Sequence, residues 1–327
     1  MSVYVGADIG HSETKIVWSG EDGKAKLQPI VQSRVTATQD VEQFPDGFTM
    51  LTGNADWVGK SWILSDGAMG KSISTVSLEQ GKPKYALPIM LASLFPHLKD
   101  GDTIHYCGAV HLSNVSWHEA LSNAVSGSHT IAHKSEVKTV TIQPFRILLE
   151  GQGAIAFARS QGVNANPVWC LDFGGGTVLG SIFAGIKPKD GCEPYALQNK
   201  GVNHLIAELR KDFGTACDLT VKPEHDIIRG ILAGQIKEMD GISPEKVQRI
   251  VDYRVNDWLD GVFADFHRDA ALHIQQARQK VAFGGGCLIG AVAKRLTAEG
   301  YTILKKPQVA NAYGLHGLVY SKVGVKG

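Results

Sequence analysis

A chain of 327 residues with 43% hydrophobic and 20% charged content reads as a soluble globular protein, too long for one ordinary core, so two domains are expected. A formal charge of +1 and a sequence pI near 7.7 exclude a basic footprint for direct nucleic-acid binding, and Lys305-Lys306 and Arg210-Lys211 are isolated doublets of solvated surface. No apolar run approaches the roughly 20 residues of a membrane helix.

Residues 2–18 read as strand, turn, strand. The stretch YVGADIGHSETKIV carries an acid, Asp8, then Gly10, a short polar turn and a second strand. Residues 27–35 are a further strand candidate, with Pro29 confining its start to a sheet edge. Residues 36–82 are rich in Gly, Ser and Asp and are expected to form a small inserted subdomain of short strands and loops. Both Gly59-Lys60-Ser61 and Gly70-Lys71-Ser72 lie in it. A P-loop needs a glycine five residues earlier, where Asn54 and Ser65 stand, so both are read as decoys.

Leu87, Met90, Leu91, Leu94 and Phe95 have helical spacing within residues 84–98, and Pro88 belongs in a first turn, which predicts a start near Ala86 or Leu87. A strand is predicted at 103–110, a helix at 116–125, a strand at 136–143 stopped by Pro144, and a helix at 150–160. His129 and His133 lack the glutamate of a zinc motif and are read as solvated loop histidines.

The central stretch is VWCLDFGGGTVLG. It repeats the first hairpin: apolar strand, Asp172, the glycines Gly174, Gly175 and Gly176, then Thr177 and a second strand. Glycine lets backbone N–H groups approach an anion without a Cβ in the way, and successive amides form a concave anion site. An Asp about 5 Å from a phosphate costs roughly 3 kcal/mol at an effective dielectric near 20, so a cation is needed there, and Mg²⁺ prefers carboxylates and water. Taken singly, each hairpin is equally a glycine turn that Asp favours; the repetition half a chain apart favours phosphate.

Beyond it, 202–213 is an amphipathic helix, 226–232 a short helix, and Ser243-Pro244 caps a long helix to about 271 with Val247, Ile250, Val251, Val255, Trp258, Leu259, Val262 and Phe266 inward. VAFGGGCLIG ends a strand and opens a helix at 287–296, a third glycine turn carrying Gly284 and Gly285; a helix start offers free N–H groups to a nucleotide. A closing helix is predicted at 309–320. It and the helix at 150–160 are rich in small residues and are read as the links between halves, tightly packed and able to hinge. The five cysteines, Cys107, Cys170, Cys192, Cys217 and Cys287, are odd in number and hold no CxxC pair, so reduced cytoplasmic thiols are expected. The N-terminus shows no signal-peptide pattern. Neither a GxSxG elbow nor a GxGxxG turn is present.

Two phosphate hairpins and a late strand-GGG-helix resemble the actin-like ATPase superfamily, and within it the ParM-type plasmid-segregation actins. The resemblance spans nearly the whole chain. Lys15, seven residues after Asp8, matches a phosphate-contacting lysine; Glu150 in FRILLEGQGAIAF matches a catalytic glutamate; GVNHLIAELRKDFG and VANAYGLHGLVY are similar to ParM-type helices. The resemblance implies a two-domain α/β fold, actin-like (ribonuclease H-like), with duplicated mixed sheets flanked by helices and a nucleotide cleft between domains. Domain I is expected at 1–161 plus 306–327, and domain II at 162–305 with a helical subdomain at about 200–270.

The resemblance implies Mg-dependent ATP hydrolysis, with ATP (or GTP) and Mg²⁺ as cofactors. Asp8 and Asp172 would hold the metal and belong, with Glu150, to the catalytic set. Gly10, Ser12, Lys15, Gly174, Gly175, Gly176 and Thr177 would hold phosphates, and Gly284 and Gly285 the adenosine. As a lone acid at a helix start, Glu150 would otherwise only favour the helix dipole. The expected partner is the chain itself, in head-to-tail filaments serving DNA segregation or a cytoskeleton, with a separate DNA-binding adaptor and no membrane. A sugar-type kinase of the same fold and a non-polymerising nucleotide-dependent ATPase are the alternatives.

Overall fold

The computed structural model describes residues 1–10, 12–33, 35–39, 41, 44, 46–64, 78–111, 115–216, 223–239 and 241–326. The chain divides into two compact units, Met1–Gln161 with Asn311–Gly327, and Gly162–Ala310. The second decoy at 70–72 and Cys217 lie outside the described residues.

In the first unit the strands are β1 (Ser2–Ile9), β2 (Glu13–Ser19), β3 (Lys26–Leu27), β4 (Val31–Gln32), β5 (Val35–Thr38), β6 (Gly47–Thr52), β7 (Ser61–Leu64), β8 (Asp102–Val110), β9 (Gly127–His133) and β10 (Glu136–Leu149). The helices are α1 (Leu78–Leu94), α2 (Val115–Val125), α3 (Gln152–Ser160) and the closing helix from Ala310 to Val323. One sheet runs β3-β2-β1-β8-β10-β9-β6-β7-β5, with β4 also on β2. The expected inserted subdomain therefore does not stand apart as a sheet: β6 pairs with β9 and carries β7 and β5 onto the same sheet.

Three boundaries in this unit differ from expectation. β10 continues through Pro144 to Leu149. Its pairing with β9 ends at Ile142, and a register shift between Pro144 and Arg146 absorbs the missing donor on the β8 side. α1 starts at Leu78, ahead of Pro83 and Pro88, both inside it. Pro88 has no N–H for the carbonyl of Lys84, and the Trp57 indole donates to that oxygen at 2.7 Å. His129 and His133 are strand residues, not loop residues. His129 is buried with its ring bonded to the Val125 carbonyl, and His133 Nδ1 lies 2.8 Å from Gly47 O.

The second unit holds β11 (Val168–Phe173), β12 (Thr177–Ala184), β13 (Lys187–Pro188), β14 (Tyr195–Gln198), β15 (Gln279–Phe283) and β16 (Tyr301–Ile303). Its helices are α4 (Val202–Ala216), α5 (His225–Leu232), α6 (Pro244–Gln276) and α7 (Gly290–Ala298), which makes the closing helix α8. Ser243 caps α6 by accepting from Lys246 N, as its sequence predicts; the helix runs on to Gln276, across a break in helical dihedrals at Ala270. A 3₁₀ turn over Gly285–Leu288 delays α7, so that helix opens three residues later than expected.

The two sheets repeat one plan. β2-β1-β8-β10 and β12-β11-β15-β16 are each an antiparallel hairpin followed by two parallel strands. Each has its own core. Phe173, Leu205, Phe213, Leu259 and Phe266 are buried in the second unit, and Ile16, Met50, Trp62, Leu91 and Tyr106 in the first.

Candidate functional site

The two hairpin tips close in the same way. Gly10 N donates to Glu13 O at 3.0 Å, and Gly174 N donates to Thr177 O at 3.1 Å. In each tip an aspartate sits two residues before the closing glycine, on the outgoing strand: Asp8 on β1, Asp172 on β11. The Gly10 and Gly174 amides are both used to close their own turns.

In the first unit Asp8 lies directly opposite Lys15 across the β1–β2 pair, on the same sheet face. Lys15 Nζ is 3.5 Å from Glu13 Oε2 and 3.4 Å from Glu13 O, with only 14% of its side chain exposed. Glu13, which the sequence reading did not single out, thus offsets the lysine charge. Nζ also lies 3.8 Å from where a Gly10 Cβ would stand, which puts the cation over the tip. Ser12 follows at the tip, its carbonyl accepting from Ser33 N.

In the second unit the tip is clasped from below. The carbonyl oxygens of Gly174, Gly175 and Gly176 accept from the amides of Val202, Asn203 and Gly201 at 3.0, 2.8 and 3.3 Å. The first N–H groups of α4 are satisfied in this way, and the oxygens that would repel an anion are turned toward the helix. The clasp requires a glycine at 201: a Cβ there would stand 2.6 Å from Gly174 O, Gly175 O and Thr177 N. Trp258 on α6 holds the preceding Lys200 carbonyl at 2.8 Å. Thr177 Oγ1 donates to Gln198 on β14.

The third glycine turn lies against the second hairpin. β15 runs parallel to β11 with Phe283 beside Asp172. Gly284 has φ +93°, and a Cβ on it would fall 2.4 Å from Asp172 Oδ1 and 2.6 Å from Phe173 O. Gly284 N donates to Pro307 O at 2.9 Å. Asp172, Gly174–Gly176 and Gly284–Gly285 are therefore gathered in one unit, while Asp8, Gly10, Ser12, Lys15 and Glu150 belong to the other. The Asp172 charge also reaches the thiols beside it: burial first, then this carboxylate, pushes Cys170 and Cys287 up.

Glu150 precedes α3 rather than starting it, and its own N–H donates to Val110 O at 2.8 Å. Its carboxylate meets Lys82 of α1, Oε1 to Nζ at 2.7 Å, with side-chain exposures of 17% and 6%. At the α3 N-terminus Asn311 Oδ1 of α8 accepts from Ala154 N at 3.1 Å. Sequence reasoning missed Lys82, Glu13, Gly201 and Asn311. Only Gly201 carried a local signal, a glycine immediately before an amphipathic helix.

The decoy Gly59-Lys60-Ser61 lies in the β6–β7 turn, with Gly59 at φ +74°, and leads into a strand where a P-loop needs a helix. Among the described residues no three or more His, Cys, Asp or Glu side chains gather as a metal site, and no helix is long and apolar enough to cross a membrane.

No protein-family model and no curated protein matches the chain. Solved structures match it along nearly its whole length. ParM of Bacillus thuringiensis with ATP is 16% identical with a TM-score of 0.74, covering 98% of this chain and 99% of its own. Ta0583, an archaeal actin homolog, is 18% identical with a TM-score of 0.76, covering 98% and 99%. The actin-like protein Alp7A is 14% identical with a TM-score of 0.73, covering 100% and 98%. At these identities the likeness is one of fold.

Proposed function

We propose that this chain, whose fold is actin-like, binds ATP with Mg²⁺, hydrolyses it, and assembles with itself into nucleotide-dependent filaments. The observation that carries the reading is the repeated tip: an Asp, a closing glycine two residues on, and the same amide-to-carbonyl closure in both units. Duplication of one turn with one acid is the arrangement that a phosphate chain with a cation calls for and that packing does not. A structural neighbour solved with ATP supports the choice of nucleotide.

Gly175, Gly176 and Ser12 amides are assigned to the phosphates, with Lys15 neutralising charge and Thr177 fixing its turn through Gln198. Gly284 and Gly285 leave backbone for adenosine to lie against. Asp8 of the first unit and Asp172 of the second would be the metal's ligands: both are hard oxygen donors, the type preferred by Mg²⁺, an ion that keeps water and takes phosphate oxygens. When bound, that ion offsets charge on the transferring phosphoryl group. Glu150 orients the attacking water and takes its proton on the carboxylate. Filaments need a head-to-tail contact that does not close on itself. A role in DNA segregation runs through a separate DNA-binding adaptor, since a formal charge of +1 gives little drive toward a phosphate backbone.

The test is phosphate release and sedimentation on one sample over a protein concentration series, with ATP, with ADP and without nucleotide. ATP-dependent pelleting is expected above a critical concentration, with phosphate release following it. Turnover without pelleting at any concentration removes the filament, and neither activity removes the reading.

A further inference from the structure

A buried ammonium on α1 grips one oxygen of Glu150. Lys82 Nζ donates to Oε1 at 2.7 Å with 6% of its side chain exposed. Oε2 has no hydrogen-bond partner among the described residues, and the Glu150 side chain as a whole keeps 17% exposure. A lysine this deep is held for its pairing, because an ammonium loses its hydration on burial and recovers it only through a well-placed anion. The backbone on both sides is fixed independently. The Glu150 amide is tied to Val110 O. α1 carries Pro83 directly after Lys82, and the carbonyl that Pro88 orphans is held by Trp57.

We propose that Lys82 is the positioning residue for Glu150. Its ammonium fixes the carboxylate plane through Oε1, so that Oε2 alone faces water and accepts the proton. This rests on the reading of Glu150 as the base. The pair also ties water activation to α1, 68 residues away in sequence. A base held by one oxygen does not have to be oriented at the moment of reaction, and misplacement of a catalytic group by about 1 Å can cost about 10²-fold.

The experiment measures steady-state ATP turnover of wild type, Lys82→Met, Lys82→Arg, Glu150→Gln and the Lys82→Met/Glu150→Gln double variant, each with a melting curve. Lys82→Met is expected to lower kcat by about 10- to 100-fold with KM for ATP within about threefold. Lys82→Arg, which keeps charge and donor, recovers much of the loss. In the Glu150→Gln background Lys82→Met is expected to add no further slowing, because the residue it positions is already disabled. If the Met variant does not fold, Lys82→Gln replaces it and reads the same split. Normal kcat for the lysine variants beside a slow Glu150→Gln overturns the proposal and leaves the base standing. Slowing that multiplies in the double variant also overturns it, since Lys82 then acts independently. Normal turnover in Glu150→Gln overturns both.

Discussion

The carbonyl oxygen of Gly153 occupies the place of a side chain on Gly314: a Cβ built there falls 1.7 Å from it. Where α3 crosses α8 the two backbones touch, and on its other side α8 lies as close to β1, where a Gly6 Cβ would meet His316 N at 2.2 Å. Gly317, three residues further along α8, has nothing within 4 Å of its Cβ position. Gly314→Ala should therefore destabilise by about 3 kcal/mol or more, since backbone must move to admit the methyl. Gly317→Ala should be neutral or stabilising by up to about 1 kcal/mol. Urea midpoints of the two variants check this; equal midpoints would mean the crossing is looser than described.

Acid should weaken the first unit through His316. Burial pushes this imidazole down to about 4 from 6.5, where it stands neutral 2.8 Å from Ser19 Oγ. Between those values the unfolded chain binds a proton that the folded chain refuses, so stability is intact above pH 6.5 and falls as pH drops toward 4. The loss is up to about 3 kcal/mol. His316→Gln should show a shallower fall in melting temperature over that window than wild type. Parallel curves would remove His316 from the acid response.

Thiol chemistry should separate by burial. Burial pushes Cys107 up to about 12 and raises Cys170 and Cys287 as well, whereas Cys192 is half-exposed, with its sulfur 3.6 Å from His273 Nε2. Alkylation of the folded protein at pH 8, read by peptide mass, should label Cys192 at least tenfold faster than those three, because only the thiolate reacts and only where reagent can reach it. Comparable labelling of all four would contradict the burial described.

The glycine that clasps the second hairpin should matter as much as the hairpin. Gly201→Ala cannot keep three contacts at 2.6 Å, so the tip must shift away from α4. Nucleotide affinity is expected to fall at least tenfold while the core of the second unit stays folded, as read by binding and melting on one sample. Unchanged affinity would show that the tip geometry does not govern binding.

Much of this was legible in the sequence, for reasons that are local. A hairpin tip is written in consecutive residues, so Asp8-Ile9-Gly10 and Asp172-Phe173-Gly174 announced themselves. So did α4, through Leu205, Ile206, Leu209 and Phe213, all fully buried, and the Ser243 cap of α6. What escaped was tertiary. Nothing near Glu150 names Lys82 as its partner, and α3 has no capping side chain of its own because Asn311 supplies one from α8. Pro88 and Pro144 misled for one reason: each loses a hydrogen bond locally, and the fold compensates from afar, for α1 through Trp57 of the β6–β7 turn and for β10 through a register shift.

Metal-dependent nucleotide binding is tested most directly by equilibrium titration of the wild-type chain with ATP, in Mg²⁺ and again in EDTA, with Asp8→Ala and Asp172→Ala alongside. An aspartate about 5 Å from phosphate costs roughly 3 kcal/mol without an intervening cation, which corresponds to about two powers of ten in affinity. Saturable binding is expected with Mg²⁺, weakening by at least about 100-fold in EDTA, with loss of that metal dependence in each Asp variant. Absence of saturable ATP binding, or an affinity that EDTA leaves unchanged, would contradict it.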